Sequence, residues 1–166
     1  MKPRKIEIRP VKFGDYIRFL KVRIGPRTRK EFARSVLGYF VVALKDVSSR
    51  IKAYKFSVYY NERFVGFAGI FNDRGFDELA VFILPNYRGK GIATQTIKEL
   101  VDYSLNKLKY KKISVVTDEL RVKLEKIIKK YGFKLVKKMK QNENETKIWE
   151  KANKISRSPK LGQSME

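Results

Sequence analysis

Between Tyr54 and Leu84 the chain carries three strand-like runs in immediate succession, and no other feature restricts its fold as much. Tyr54–Tyr60 alternates and is β-branched or aromatic, Asn61-Glu62 is turn-like, Phe64–Phe71 resumes the alternation, and Asn72–Gly75 turns the chain again. Phe76–Leu84 then runs until Pro85-Asn86 stops it. Short strands joined by tight turns pair as an antiparallel meander, and such a meander needs helices to cover its apolar face.

Apolar periodicity supplies those helices. Ile92–Leu108 sets Ile97, Leu100, Val101 and Leu105 on one side. A first helix starts at Asp15, a good capping residue, with Ile17, Leu20 and Ile24 on one face, and Gly25-Pro26 ends it. Thr28 with Glu31 forms a capping box for a second helix to about Arg50, kinked at Gly38. A last helix, Leu120–Lys130, closes at Tyr131-Gly132. Ile6–Val11, Ile113–Thr117, Lys134–Lys140 and Thr146–Lys151 complete the strands. The order β α α β β β α β α β β predicts one α+β domain over residues 1–152. Residues 153–166 lack an apolar period and read as a disordered basic tail.

Composition narrows the chemistry. The chain has no histidine and no cysteine, which removes the Ser-His-Asp triad, thiolate nucleophiles, disulfides and Cys/His metal sites. Acid-base work is left to carboxylates, tyrosine, lysine or water, and no metal is expected. The longest apolar run, Val36–Leu44, is too short to span a membrane. No signal-peptide pattern follows Met1–Pro10, so the expectation is a cytoplasmic protein without membrane contact. Absent cysteine and abundant lysine also fit a thermophile. The formal charge is +22, and it is uneven: residues 1–52 and 107–140 carry +11 and +10, whereas 53–106 sum to zero. Two basic blocks flanking a neutral centre fit either a solvated lysine surface or a face for polyanions.

The chemistry-bearing segment is Leu84-Pro85-Asn86-Tyr87-Arg88-Gly89-Lys90-Gly91-Ile92-Ala93-Thr94, at a junction from strand to helix. A glycine-rich turn there can aim its amides, and those of the helix N-terminus, at one anion. It lacks the Gly-Lys-Ser/Thr of a Walker loop and the third glycine of a dinucleotide fingerprint.

The wider pattern, Arg88-x-x-Gly91-x-Ala93 after an apolar strand and before a long helix, resembles the acetyl-CoA signature of the GNAT superfamily of N-acetyltransferases. Ile8-Arg9-Pro10 with Asp15, and Tyr131-Gly132-Phe133, are similar to that family's first strand and helix and to the end of its last helix. The resemblance implies a mostly antiparallel, splayed sheet of about seven strands with about four helices, and acetyl-CoA as co-substrate. It implies that Arg88, Gly89, Gly91, Ile92, Ala93 and Thr94 hold the pyrophosphate. Val81, Phe82 and Ile83 pair with the pantetheine arm, and Lys90 either meets the 3′-phosphate or is solvated. Glu78 matches the catalytic glutamate of the protein-lysine branch, with Asp77 as the competing carboxylate; strand alternation sends the two to opposite faces.

The chain also departs from the family. Ile128 stands where many members have the tyrosine that protonates the leaving thiolate, with Tyr131 as a weak substitute, and Arg121 stands where an asparagine often contacts CoA. The expected acceptor is a primary amine, foremost a protein lysine. The alternative is a catalytically weak module of the same fold that binds nucleic acid or nucleoprotein. The oligomeric state is left open.

Overall fold

The computed structural model describes residues 5–20, 53–72, 75–118, 122–141 and 144–153. The expected second helix, Arg121 and residues 154–166 lie outside them. The elements in chain order are β1 (Ile6–Pro10), α1 (Phe13–Leu20), β2 (Ala53–Tyr60), β3 (Arg63–Phe71), β4 (Glu78–Ile83), α2 (Ile92–Asp102), β5 (Lys112–Asp118), α3 (Val122–Lys130), β6 (Lys134–Gln141) and β7 (Asn144–Ala152). A single 3₁₀ turn, Pro85–Tyr87, precedes α2, and a π-helical turn, Tyr103–Lys107, continues it. This is the expected α+β fold: seven strands in one open sheet, with three α-helices among the described residues.

The sheet order is β1-β2-β3-β4-β5-β7-β6. Every neighbouring pair is antiparallel except β4 with β5, which meet in parallel at one register position, Glu78 beside Ser114. A second link at the same level runs from the Ser114 amide to the Asp77 carbonyl, 2.8 Å. Beyond it, Leu79–Ile83 of β4 has no ladder partner on β5, so the sheet forks there. The turn at Asn61 and Glu62 puts both residues at positive φ, as the twist of a tight hairpin demands.

The two faces of the sheet are covered differently. On one, Val58, Ala68, Ile70, Leu79 and Ile83 pack against Ile92, Ile97, Leu100, Val101 and Leu105 of α2 and its continuation, together with Ile113, Val115 and Ile128. The four α2-segment residues expected to face inward are all buried. On the other face, Phe19 of α1 meets Phe67 and Leu84 in an aromatic cluster with Phe64 and Phe82 at its border.

Two expectations are corrected. Ile17, expected inward, is exposed; α1 instead turns Asp15 and Phe19 to the sheet. The cause is polar: the buried Asp15 carboxylate accepts bonds from Ser57 Oγ at 2.7 Å, Tyr59 Oη, the Lys12 amide and Arg18 Nη1, and this rotates the helix. At the other end, Asn153, assigned to the tail by composition, is buried, with Nδ2 donating to the Leu105 carbonyl at 2.8 Å.

Candidate active site

The 84–94 segment folds as its residues dictate. Pro85 opens the 3₁₀ turn, in which Tyr87 and Arg88 amides donate back to Leu84 and Pro85 at 2.9 and 3.1 Å. Gly89 and Gly91 then adopt φ of 77° and 78°, a left-handed conformation that a side chain disfavours. Gly91 is the N-cap of α2, and no side chain caps that helix and no acidic residue stands in its first turn. The early amides of α2 are thus left for a ligand, at the positive end of the helix dipole.

Among the described residues, a Cβ at Gly89 or Gly91 would meet no atom within 4 Å beyond its own chain neighbours, so backbone and ligand can approach closely. Arg88 is exposed, with Nε donating to the Ile83 carbonyl at 3.0 Å and its guanidinium 5.9 Å from the Phe82 ring centre. Lys90 is exposed and rests over Tyr87 at 5.2 Å. Ile92 is buried, while Ala93 and Thr94 are half-buried in the first turn. These residues, expected to bind one anion, do lie together around one turn.

Val81, Phe82 and Ile83 form the C-terminal half of β4, where one edge is paired with β3 and the other has no ladder to β5. That edge runs from the glycine turn back to the fork. From Ile83 to Glu78 the strand rises about 17 Å, so a linear ligand anchored by phosphates at the turn would reach the fork with its far end.

The carboxylates are placed differently from each other. Glu78 is the first residue of β4, half-buried, opposite Phe71 on β3 and Ser114 on β5, and so shares the α1 face with Phe82. Asp77, expected inside the strand, precedes it. Its carboxylate accepts from Asn72 Nδ2 at 2.9 Å and its carbonyl holds β5, which makes it a pin for the fork.

Tyrosine proton donors are poorly provided for. Ile128 is fully buried in the core, and Tyr131 is half-buried with its carbonyl accepting from Lys151 Nζ. Burial, with the Asp77 charge and Tyr54 and Tyr103 nearby, pushes the Tyr110 hydroxyl up to about 12. Sequence reasoning missed Ser114, buried in β5 at the fork with an Oγ that has no hydrogen-bond partner. The signal available was a lone polar residue in the apolar run Ile113-Ser114-Val115-Val116.

Comparison with known proteins adds three findings. A family profile described as "Acetyltransferase (GNAT) family" matches residues 26–133. A search of curated protein sequences finds no match. Solved structures similar in fold include a chimera of the spermidine N-acetyltransferase SpeG from Vibrio cholerae and hSSAT, with TM-score 0.68 and 18% identity over 89% of this chain and 95% of that one. The spermidine N-acetyltransferase from Vibrio cholerae in complex with CoA and spermine gives TM-score 0.64 and 16% identity over 89% and 95%. A dodecameric form of that enzyme gives 0.64 and 17% over 89% and 94%.

Proposed function

The chain belongs to the acetyltransferase (GNAT) family, and from that premise we propose that it moves the acetyl group of acetyl-CoA to a primary amine, foremost the side chain of a protein lysine. The observation that carries this reading is the uncapped N-terminus of α2, entered through two left-handed glycines at the end of a strand with an open edge. Amides of the turn and of Ile92, Ala93 and Thr94 bind the pyrophosphate, with Arg88 adding charge. The edge of β4 at Val81–Ile83 that faces away from β3 pairs with the amides of the pantetheine arm as a strand would.

Bound acetyl-CoA supplies an acyl group already activated as a thioester. What the protein must add is a free amine, because an ammonium with pKa near 10.4 cannot attack. Glu78, at the fork and on the α1 face, takes that proton directly or through water. Asp77 is committed to Asn72 and to the β4–β5 link.

The acceptor class follows from charge. Solved structures of similar fold include enzymes described as spermidine N-acetyltransferases, but a polycation is repelled by a chain of +22. A cavity of about 600 Å³ on the α1 side is bordered by Arg9, Lys12, Arg18 and Arg63 against Asp15 and Glu62, which is equally unsuited to a polyamine. A lysine presented by an acidic protein or nucleoprotein meets the opposite field. The test is incubation with labelled acetyl-CoA and three acceptors, namely spermidine, a lysine-containing acidic peptide and a cell lysate read by mass spectrometry. Label in the peptide or lysate proteins in preference to spermidine supports the reading; label in spermidine alone overturns the acceptor.

A second reading is favoured by one observation. Lys123, Lys126 and Lys130 recur at helical spacing along α3 and are all exposed, and Lys134, Lys137, Lys138 and Lys140 are exposed on the edge strand β6. Exposed lysines in such number attract a phosphate backbone, so nucleic acid is the partner they would hold.

A further inference from the structure

The cavity of about 600 Å³ between β1, α1 and the β2–β3 hairpin has no part in acetyl transfer as read above. Tyr59 in its wall is in register with Phe64, whereas Glu78 at the fork is in register with Phe71. Seven residues of β3 separate the two levels, about 23 Å, so a small molecule held at one does not reach the other. The glycine turn is apart as well, since it opens α2, which packs on the opposite face of the sheet.

The volume is that of a small-molecule site, and the walls select the charge of its occupant. Tyr59, 7% exposed, orients two guanidiniums at once: Arg9 lies over its ring at 4.6 Å, and Arg18 Nη1 donates to its hydroxyl at 3.0 Å. Each is braced a second time, Arg9 Nε by Glu7 at 2.8 Å and Arg18 Nη1 by Asp15 at 3.1 Å. Guanidiniums fixed in this way lose little freedom when an anion arrives, and their remaining N–H groups offer it a rigid fork. Lys12 and Arg63 complete the basic lining, and neither side chain is ion-paired among the described residues. Of the two acids, Asp15 is occupied by its own hydrogen bonds. That leaves Glu62, at the hairpin tip, to oppose Lys12 and Arg63.

We propose that this cavity is a binding site for a small organic anion of two or more negative charges, a phosphomonoester or a polycarboxylate, that is neither the acetyl donor nor the amine. Both classes offer grouped oxygens that accept paired N–H bonds from arginine. The net charge of +22 raises the local concentration of either. Once bound, such an anion ties β1, α1 and the hairpin together, and it stabilises the fold by mass action.

Calorimetric titration of the full chain with glucose 6-phosphate and with citrate, against glucose and sodium chloride at matched ionic strength, tests this. Saturable binding is expected for at least one of the two anions and for neither control; glucose 6-phosphate alone assigns a phosphate ligand, citrate alone a carboxylate one. Lys12→Ala combined with Arg63→Ala is expected to weaken that binding about 10- to 100-fold at an unchanged melting temperature, both side chains being exposed. Glu62→Gln is expected to tighten it about 2- to 5-fold, a gain that no folding defect produces and that decides the matter should the double variant melt lower. Gly91→Val, which strikes the turn before α2, should bind the anion as the parent does. No saturable binding of either anion, or an affinity unmoved by the changes at Lys12, Arg63 and Glu62, overturns the site. Binding lost in Gly91→Val also overturns it and puts the anion at the glycine turn. An acidic peptide held through Lys12 and Arg63 where both small anions fail gives the surface to a protein partner instead.

Discussion

At the scale of single residues, the sharpest division is between two adjacent carboxylates. Glu78 faces the fork and Asp77 ties it together, so their isosteric amides should differ in kind. Glu78→Gln is expected to cut turnover about 10²- to 10⁴-fold near neutral pH, with acetyl-CoA binding unchanged by calorimetry. The deficit narrows toward pH 10, where solvent supplies free amine. Asp77→Asn should retain most of the rate; equal damage in both variants would show that neither is the base. The lack of histidine and cysteine, and the resemblance to the family's catalytic glutamate, made Glu78 a candidate, and strand alternation set it apart from Asp77. Neither could reveal that β4 begins at Glu78, because the link from the Ser114 amide to the Asp77 carbonyl joins residues distant in sequence. Ser114 was illegible for a related reason: that its buried hydroxyl finds no hydrogen-bond partner among the described residues is something only packing shows.

At the scale of elements, the glycine turn was readable in full, since φ requirements, proline and helix start are local. Gly91→Val is expected to abolish measurable acetyl-CoA binding in calorimetry. It should also cost about 1–2 kcal/mol of stability from the left-handed backbone alone, seen in urea unfolding; unchanged affinity would move the phosphate site elsewhere. Helix α1 was readable only in part. Its apolar spacing pointed to Ile17, yet the helix is docked by a buried acid. Burial pushes the Asp15 carboxyl up, but the bonds from Tyr59, the Lys12 amide and Ser57, with Arg18 beside them, outweigh that and hold it below the ordinary carboxylate value. A carboxyl lowered on folding stabilises fully above its unfolded pKa near 3.9, and that contribution vanishes as pH falls through the lower folded value. Asp15→Asn should therefore flatten the stability profile between about pH 5 and 2, with a loss of about 1–3 kcal/mol at neutral pH. A parallel displacement at all pH values would assign the loss to packing.

At the scale of the whole molecule, the two basic blocks were visible as sums along the chain, whereas which of their lysines stand exposed on α3 and β6 needed the fold. If those lysines hold phosphates, retention on single-stranded or duplex nucleic acid should fall steeply between about 50 and 200 mM salt, and charge reversal at Lys126 and Lys130 should reduce the slope; a shallow slope in the parent would leave a solvated surface. Sheet order was beyond the sequence, since the crossover that sets β4 beside β5 and β7 beside β5 joins strands far apart in the chain. The fork has a consequence of another kind. Unpaired strand edges recruit neighbouring chains and seed aggregates, and proteins usually blunt them at the rim of the sheet. Here the sticky edge is interior, between β4 and β5, with α2 packed on one face of the sheet. A polypeptide strand brings side chains on both faces and jams in that wedge, while a slender amide chain without side chains slides in. On the proposed reading, the protein thus keeps an edge receptive to its cosubstrate without offering it to other copies of itself.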